Sequence, residues 1–184
     1  MKMRFNTTSL ALIPVAVGIN YVGKFFASLL KLPLWLDSAG TMLTAMLAGP
    51  WIGALTGIIN QFVYGLTVDP MSVFYAPVSA VIGISVGFFS RWVHNWTQAW
   101  AAGAVVSLLA AMASTPINIW LWGGQTGNIW GDAAFAAALA NNWPVWSASF
   151  LDEILVDVPD KLLVFLLSSS LYMSLPRRLK AIFD

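Results

Sequence analysis

The sequence has 184 residues, of which 59% are hydrophobic and 9% are charged, and its formal net charge is +1. Soluble globular domains have about 45–50% apolar and about 25% charged residues, so this composition predicts an integral membrane protein with a single domain over residues 1–184. The near-zero net charge gives no sign of nucleic-acid binding. Because the chain has no cysteine and one histidine, His94, disulfides, thiolate catalysis and metal sites made of cysteines or several histidines are excluded.

The first predicted span is Leu10–Leu30, and it is preceded by Lys2 and Arg4. A basic start followed by an apolar run is also typical of a signal peptide. This run, however, reaches the roughly 20 residues that a helix needs to cross a bilayer. We therefore predict a retained transmembrane helix.

The next apolar stretch, residues 37–66, contains Gly49-Pro50-Trp51 near its middle. Proline removes a helical hydrogen bond and clashes with the preceding turn, so the stretch is either one long kinked helix or two short helices. Arginine and lysine concentrate in the cytoplasmic loops of membrane proteins. The basic clusters at the N-terminus, at Arg91 and at residues 177–180 share one side of the membrane if residues 37–66 form a hairpin. We therefore predict two short spans.

The remaining predicted spans are Ser72–Ser90, Ala99–Leu121 and about Ser147–Leu175. The predicted fold is thus an all-α membrane protein, a compact bundle of six transmembrane helices with short second and third spans and both termini cytoplasmic. An outer segment, Trp122–Trp146, connects the last two spans. Within it we predict a short helix at Asp132–Ala140, with Asp132 as its N-terminal cap.

Two pairs of glycines are spaced four residues apart in the predicted helices: Gly53 with Gly57, and Gly83 with Gly87. Small residues at this spacing let helix backbones approach closely within lipid. They predict close helix contacts and carry no information about function.

The charged residues of the last span are concentrated in its outer half, in a chain with few charges. Charge beside hydrocarbon is unfavourable, so such residues normally face the protein interior or a watery cavity and mark a binding site or pathway. The alternative is that they pair with each other at the interface, as Asp157 and Lys161 could at i,i+4 spacing. The residues concerned are Asp152, Glu153, Asp157, Asp160 and Lys161.

Polar residues of the other predicted spans lie at the same depth as these charges, near the outer face. Such convergence predicts a cup that opens outward, although helix caps and hydrogen bonds between helices are an alternative. A pocket of apolar and aromatic groups with a few convergent polar ones is the usual form of a small-molecule site. The predicted ligand-binding residues are Asn20, Tyr21, Lys24, Trp35, Asp37, Thr41, Asn60, Gln61, Tyr64, Tyr75, Asn118, Trp122, Asp152, Glu153, Asp157 and Lys161.

Intramembrane enzymes are a rival class. A rhomboid-type serine protease would need Gly-x-Ser-x-Gly and a membrane histidine, which the sequence lacks. An aspartyl protease would need Gly-x-Gly-Asp, whereas Ile129 stands two places before Gly131. Paired carboxylates are present, but nothing presents a nucleophile or a metal beside them. We therefore predict a protein that is not an enzyme and has no resident cofactor or metal.

Three segments resemble a known family of membrane proteins. They are Leu32–Thr41 (LPLWLDSAGT), Ala48–Gly57 (AGPWIGALTG) followed by Asn60, and Val158–Lys161 (VPDK) followed by an apolar helix and Leu175–Arg178 (LPRR). In this order and at this spacing they are similar to the S components of energy-coupling factor (ECF) vitamin transporters, especially riboflavin-transporter-like members. The resemblance covers most of the chain except residues 92–146.

The resemblance implies a vitamin-binding subunit in the cytoplasmic membrane of a bacterium or archaeon, with its ligand site near the outer face beneath the loop after span one. The implied partners are the vitamin, membrane lipid, a transmembrane coupling protein and two cytoplasmic ATPases. The sequence has no G-x-x-x-x-G-K-[ST] loop, which is consistent with ATP hydrolysis by other chains. Family members often dock through an Ala-x-x-x-Ala pair on span one, and this chain has no clean match to it. A solitary carrier and a structural membrane subunit are the alternatives.

Acidic residues outnumber basic ones in the predicted cup, with Asp37 and four carboxylates of the last span against Lys24 and Lys161. An anionic ligand would meet like charge where screening is weak, which disfavours biotin, pantothenate and folate. A neutral or cationic ligand whose ring stacks on aromatic side chains fits better. Because of the resemblance, we expect riboflavin first, and thiamine, pyridoxine or their precursors after it.

Overall fold

The computed structural model of the chain describes residues 7–180, 182 and 183, apart from the side chain of Arg177. Within these residues the protein is all-helical and contains no strand. Lys2 and Arg4, which we predict to lie on the cytoplasmic side, are outside the described residues. The helices are α1 (Thr7–Leu29), α2 (Ala39–Ala48), α3 (Pro50–Thr67), α4 (Ala76–Phe89), α5 (Trp96–Trp122), α6 (Ile129–Ala140), α7 (Val145–Ser174) and α8 (Arg177–Lys180), and 3₁₀ turns at Pro70–Tyr75 and Ser90–Trp92 flank α4.

Among the described residues, three helical segments are long and apolar enough to cross a membrane: α1, the continuous segment Pro70–Trp92, and α5. They have 23 to 27 residues. At about 1.5 Å per residue this gives roughly 35–40 Å, against about 30 Å for the hydrocarbon core of a bilayer. These segments match the predicted first, fourth and fifth spans and indicate a membrane protein. The 30-residue α7 is longer still, but it carries the charged cluster.

The stretch 37–66 forms two helices, as the sequence predicts. Helix α2 ends at Ala48, Gly49 has a φ of 90°, and α3 begins at Pro50. Glycine adopts this left-handed backbone without the steric cost that a Cβ would bring. Proline is tolerated at the first helical position because its missing N–H would have no partner there. With ten residues, α2 is about 15 Å long, half the thickness of the hydrocarbon core.

The two glycine pairs lie where α3 packs against α4. A Cβ at Gly83 would collide with the backbone of Gly53 and Ala54, and one at Gly87 would collide with Pro50. Gly57 lies equally close to α4, where a Cβ would be 2.8 Å from the carbonyl oxygen of Ser79. The prediction of close helix contacts is therefore confirmed.

The prediction for α6 was wrong at its start. The helix begins at Ile129, and its cap is Asn128, whose side chain accepts a hydrogen bond from the Trp130 N–H at 3.1 Å. Asp132 instead accepts from the backbone N–H groups of Thr126 and Gly127. Asparagine and aspartate are equally good N-terminal caps. Because Asp132 is occupied by the loop that folds back onto it, the asparagine one turn earlier caps the helix.

The largest apolar core lies between α2, α4, α5 and α7. Its members include Met42, Val86, Val106 and Phe165, all fully buried. This core extends from Val93, at the α4–α5 connection, to Met42 and Val78 nearer the other end of the bundle. That other end, where α1 runs into α2 and α5 runs into α6, contains the polar residues described next.

Candidate functional site

A cavity of about 150 Å³, here named the inner cavity, lies between α1, α3, α4, α5 and α7. Val78 and Ile82 form its apolar floor, and both also belong to the buried core. The cavity is lined by Lys24, Trp35, Asp37, Gln61, Asp69, Ser72, Tyr75, Val78, Ser79, Ile82, Ser114, Asn118, Trp122, Thr126, Glu153, Asp157 and Lys161.

Most of the predicted ligand-binding residues come together around this cavity. They derive from α1, the α1–α2 loop, α3, the 3₁₀ turn, α5 and α7, so residues far apart in the chain meet at one depth. Those that line it are Lys24, Trp35, Asp37, Gln61, Tyr75, Asn118, Trp122, Glu153, Asp157 and Lys161.

Asn20 and Thr41 lie outside the cavity because they hold α1 and α2 together. Asn20 Nδ2 donates to Thr41 Oγ1 at 2.9 Å, and Asn20 Oδ1 accepts from the backbone N–H of Gly40 at 2.7 Å. Asn20 is fully buried. It supplies an acceptor to the first turn of α2, whose N–H groups have no partner within the helix.

Tyr21, Asn60, Tyr64 and Asp152 also lie outside the inner cavity. The rings of Tyr21 and Tyr64 pack together with centroids 5.5 Å apart, joining α1 to α3. Lys24 Nζ lies 3.8 Å from the centroid of the Tyr64 ring, a cation–π contact. Asn60 is buried on α3. Asp152 is hydrogen-bonded to Thr126 of the α5–α6 loop.

Asp152 and Asp132 fasten the α5–α6 loop to the bundle. Asp152 accepts hydrogen bonds from the Thr126 backbone N–H at 3.2 Å and from its hydroxyl at 2.8 Å. Asp132 accepts from the N–H groups of Thr126 and Gly127, each at 3.1 Å. Gly131 makes this packing possible, because a Cβ there would collide with the Asp152 carboxylate. Asp152 thus positions Thr126, which lines the cavity.

Sequence reasoning missed seven lining residues. Those on α4 follow from Tyr75 by helical spacing, since residues i, i+3, i+4 and i+7 share one face. That signal was available. The Asp69-Pro70 dipeptide gave another, because aspartate before proline favours a turn. In the structure Asp69 accepts from the Met71 N–H at 3.1 Å and from the Ser72 hydroxyl at 2.9 Å. The missed residues are Asp69, Ser72, Val78, Ser79, Ile82, Ser114 and Thr126.

Lys161 is the centre of a buried ion-pair network. Its ammonium donates to Asp160 Oδ2 at 2.7 Å and to Asp37 Oδ1 at 2.9 Å, while Asp157 Oδ1 lies farther away, at 3.7 Å. The side chains of Lys161 and Asp160 are buried. The predicted Asp157–Lys161 pair therefore exists but is the longest of the three contacts.

Asp160 ties this network to the loop after α1. Its other oxygen, Oδ1, accepts from the backbone N–H groups of Trp35 at 3.1 Å and Leu36 at 2.9 Å. Leu36 has a φ of 50°, an unusual backbone for leucine that costs free energy unless its surroundings hold it. Asp160 and Lys161 together fix the loop that places Trp35 and Asp37 over the cavity.

The ionisation of Asp37 follows from these contacts. Burial alone would raise its pKa, but the ammonium groups of Lys161 and Lys24 lower the pKa of Asp37 below its ordinary value. Asp37 is therefore a carboxylate at neutral pH, and its charge is balanced by Lys161.

A chain of hydrogen bonds crosses the cavity wall from Trp122 to Glu153. Trp122 Nε1 donates to the Tyr75 hydroxyl at 3.1 Å, and this hydroxyl donates to Asn118 Oδ1 at 2.5 Å. Asn118 Nδ2 in turn donates to Glu153 Oε1. On the opposite wall Gln61 Nε2 donates to Ser79 Oγ at 2.8 Å. The side chains of the wall are thus oriented before any ligand arrives.

A second cavity of about 390 Å³, here named the outer cavity, adjoins the first. The two share Lys24, Trp35 and Asp69. The outer cavity lies between the α1–α2 loop and the start of α6. Its other lining residues are Ala27, Ser28, Lys31, Leu32, Pro33, Leu34, Tyr64, Gly127, Asn128, Ile129 and Trp130.

Comparison of the chain with family models, with curated proteins and with solved structures gave no match. Within the described part of the chain, no group of three or more histidine, cysteine, aspartate or glutamate side chains is placed to hold a metal ion. The inner cavity presents groups that can bind a small molecule. It offers carboxylates and amides as hydrogen-bond partners, aromatic faces for stacking and an apolar floor.

Proposed function

We propose that the chain is the membrane-embedded, substrate-binding component of a vitamin uptake system of the ECF type. The observation that carries the proposal is the inner cavity, to which α1, α3, α5 and α7 contribute charged, amide and aromatic side chains above an apolar core. The substrate is a B-type vitamin or a precursor of one, neutral or cationic and bearing a ring. Riboflavin is the first ligand to test, because of the resemblance in sequence.

In this proposal the chain crosses the cytoplasmic membrane of a bacterium or archaeon six times, with α2 and α3 as the two short spans. The cavity end faces outward. Arg91 and Arg178 then lie inside, because α4 and α7 run from the cavity to the opposite end. That distribution agrees with the cytoplasmic preference of basic residues.

The chain works with a coupling protein and two ATPase subunits and is not itself an enzyme. The absence of a phosphate-binding loop from the sequence supports this division of labour. A solitary carrier is the second candidate, favoured by the missing Ala-x-x-x-Ala pair on span one. A structural subunit is a third, and it would leave the polar lining of the inner cavity without a role.

The proposal is tested by ligand binding to the purified chain. Trp35 and Trp122 line the cavity, so we expect a bound aromatic ring to quench tryptophan fluorescence. Asn118→Ala should weaken binding by about 1–3 kcal/mol, because Tyr75 and Glu153 lose a buried partner. Asn141→Ala, at an exposed site at the end of α6, is the matched control. If no vitamin of a panel that includes riboflavin, thiamine and pyridoxine binds, the proposed function is wrong.

Transport separates the first two candidates. In vesicles that contain this chain without other transporters, we expect no accumulation of ligand against a gradient, and co-reconstitution with an ATPase module should restore it. Sustained concentrative uptake by the chain alone would identify a solitary carrier instead.

A further inference from the structure

We infer that the inner cavity holds a single aromatic ring whose edge carries a positive charge or N–H donors, and that the rest of the ligand extends past Trp35 into the outer cavity. This inference rests on the proposed function and specifies the chemical class of its ligand. It follows from the size of the cavity, from its unequal charges and from its connection to the outer cavity.

Size limits the ring system. The inner cavity measures about 150 Å³, and an engineered cavity of about this volume in another protein holds one benzene molecule. One six-membered ring with small substituents therefore fits between the apolar floor and the aromatic residues above it. The three fused rings of a flavin are larger than this and would have to extend out of the inner cavity. The cavity thus favours the single-ring vitamins over riboflavin, which the resemblance alone puts first.

Charge selects the edge of that ring. Four carboxylates line the cavity, but Asp37 is paired with Lys161, and both oxygens of Asp69 accept hydrogen bonds within its own turn, whereas Glu153 accepts one on Oε1, from Asn118. Glu153 and Asp157 remain, one helical turn apart on α7. Among the described residues Glu153 has no ion pair, and Asp157 has its one ion pair at 3.7 Å. A cationic or amino-bearing ring edge between them would receive two charge-assisted hydrogen bonds.

The hydrogen-bond chain of the cavity wall supports the same orientation. Every donor in it points towards Glu153, from Trp122 through Tyr75 to Asn118. The wall therefore supplies one donor, Asn118 Nδ2, to Oε1 of Glu153, and the other oxygen can accept from a ligand. A ligand donor suits that position, and a ligand carboxylate would be repelled.

The outer cavity has a different character. Lys24 and Lys31 line it together with one carboxylate, Asp69, and aromatic side chains. Because it shares Trp35 with the inner cavity, a substituent attached to the buried ring can leave past that side chain. The two ammonium groups can donate hydrogen bonds to a hydroxyl, a phosphate or another acceptor-rich tail. The ligand class is therefore an amino-substituted or protonated single ring with a polar tail.

The test is a calorimetric titration of the purified full chain with four probes. They are riboflavin, 4-amino-5-hydroxymethyl-2-methylpyrimidine, thiamine and thiamine monophosphate. We expect the aminopyrimidine and thiamine to bind about 100-fold or more tightly than riboflavin, because a ligand too large for the cavity forfeits its buried contacts. Glu153→Gln should weaken their binding about 10–100-fold through loss of a charged hydrogen bond. Lys31→Gln should weaken binding of the phosphorylated probe more than that of thiamine.

The outcomes separate this inference from the proposed function. Tight binding of riboflavin with inert single-ring probes would overturn the inference and leave vitamin binding intact. Binding of no probe and of no other vitamin would overturn both. If Glu153→Gln does not fold, Asp157→Asn gives the same comparison, and thermal unfolding of each variant identifies losses that come from folding. Unchanged thiamine affinity in every one of these variants that does fold would also contradict the inference.

Discussion

Lys161 shows how a charged residue that lines the inner cavity also holds the structure together. Its buried ammonium contacts Asp160 and Asp37 within 2.9 Å. Removing ions from water costs free energy, which is regained only when the pairing geometry is good and the remaining hydrogen-bonding groups are satisfied. Asp160 meets that condition, because its second oxygen accepts two backbone N–H groups from the α1–α2 loop.

Replacement of Lys161 by methionine should therefore destabilise the protein strongly. We expect a loss of about 3–5 kcal/mol, because two buried carboxylates would lose their cation. Lys31→Met, at an exposed site, should change stability by about 0.5 kcal/mol or less. Adding Asp160→Asn to Lys161→Met should recover part of the loss, since it removes one uncompensated charge. Denaturation in detergent measures all three, and equal stability of the two lysine variants would contradict the structural role.

At the scale of helices, the contact between α3 and α4 depends on the absence of side chains. Gly83 faces the backbone of α3, so neither side can move aside for a Cβ. By contrast, nothing lies within 4 Å of a Cβ built on Gly18 of α1. We therefore expect Gly18 to tolerate a side chain and Gly83 not to tolerate one.

This contrast gives a matched pair of variants. Gly83→Ala should destabilise the protein by about 1–3 kcal/mol, because the helices must separate to admit the methyl group. Gly18→Ala should be neutral or stabilise by up to about 1 kcal/mol, since alanine favours helix more than glycine does. Thermal unfolding of both variants measures the difference. A Gly83→Ala protein as stable as the Gly18→Ala protein would show that α3 and α4 do not pack this closely.

The helices were predictable from the sequence because long apolar runs and the Gly49–Pro50 break are local signals. Depth was predictable too, since position along a helix fixes it, and most predicted site residues do line the inner cavity. Rotation about the helix axis was not. Asn20 lies at the correct depth but turns to the start of α2, and Asp152 turns to the α5–α6 loop. The partner of Asn20 is the first turn of another helix and that of Asp152 is a loop, and the hydrophobic pattern specifies the position of neither.

At the scale of the whole molecule, the two ends of the bundle have different compositions. Helix α5 has 27 residues and so separates its ends by about 40 Å. Trp122 at one end lines the inner cavity. At the other end, Arg91 precedes the start of α5, and α7 runs from the cavity towards Arg178. A membrane across this axis would have the cavity on one side and these basic residues on the other.

Single-cysteine labelling tests that orientation directly, because the native chain has no cysteine. Thr97→Cys, exposed near Asn95 at the α4–α5 end, should react with an impermeant thiol reagent only after the cytoplasmic side is opened. Two variants at the cavity end should react in intact cells: Val68→Cys and Asn141→Cys. Val68 is 54% exposed and lies beside Asp69 of the cavity, and Asn141 is exposed. The basic clusters predict this result, since arginine and lysine concentrate on the cytoplasmic side. Labelling of Thr97→Cys from outside would invert the bundle, so that the inner cavity opened to the cytoplasm and could not receive a vitamin from the medium.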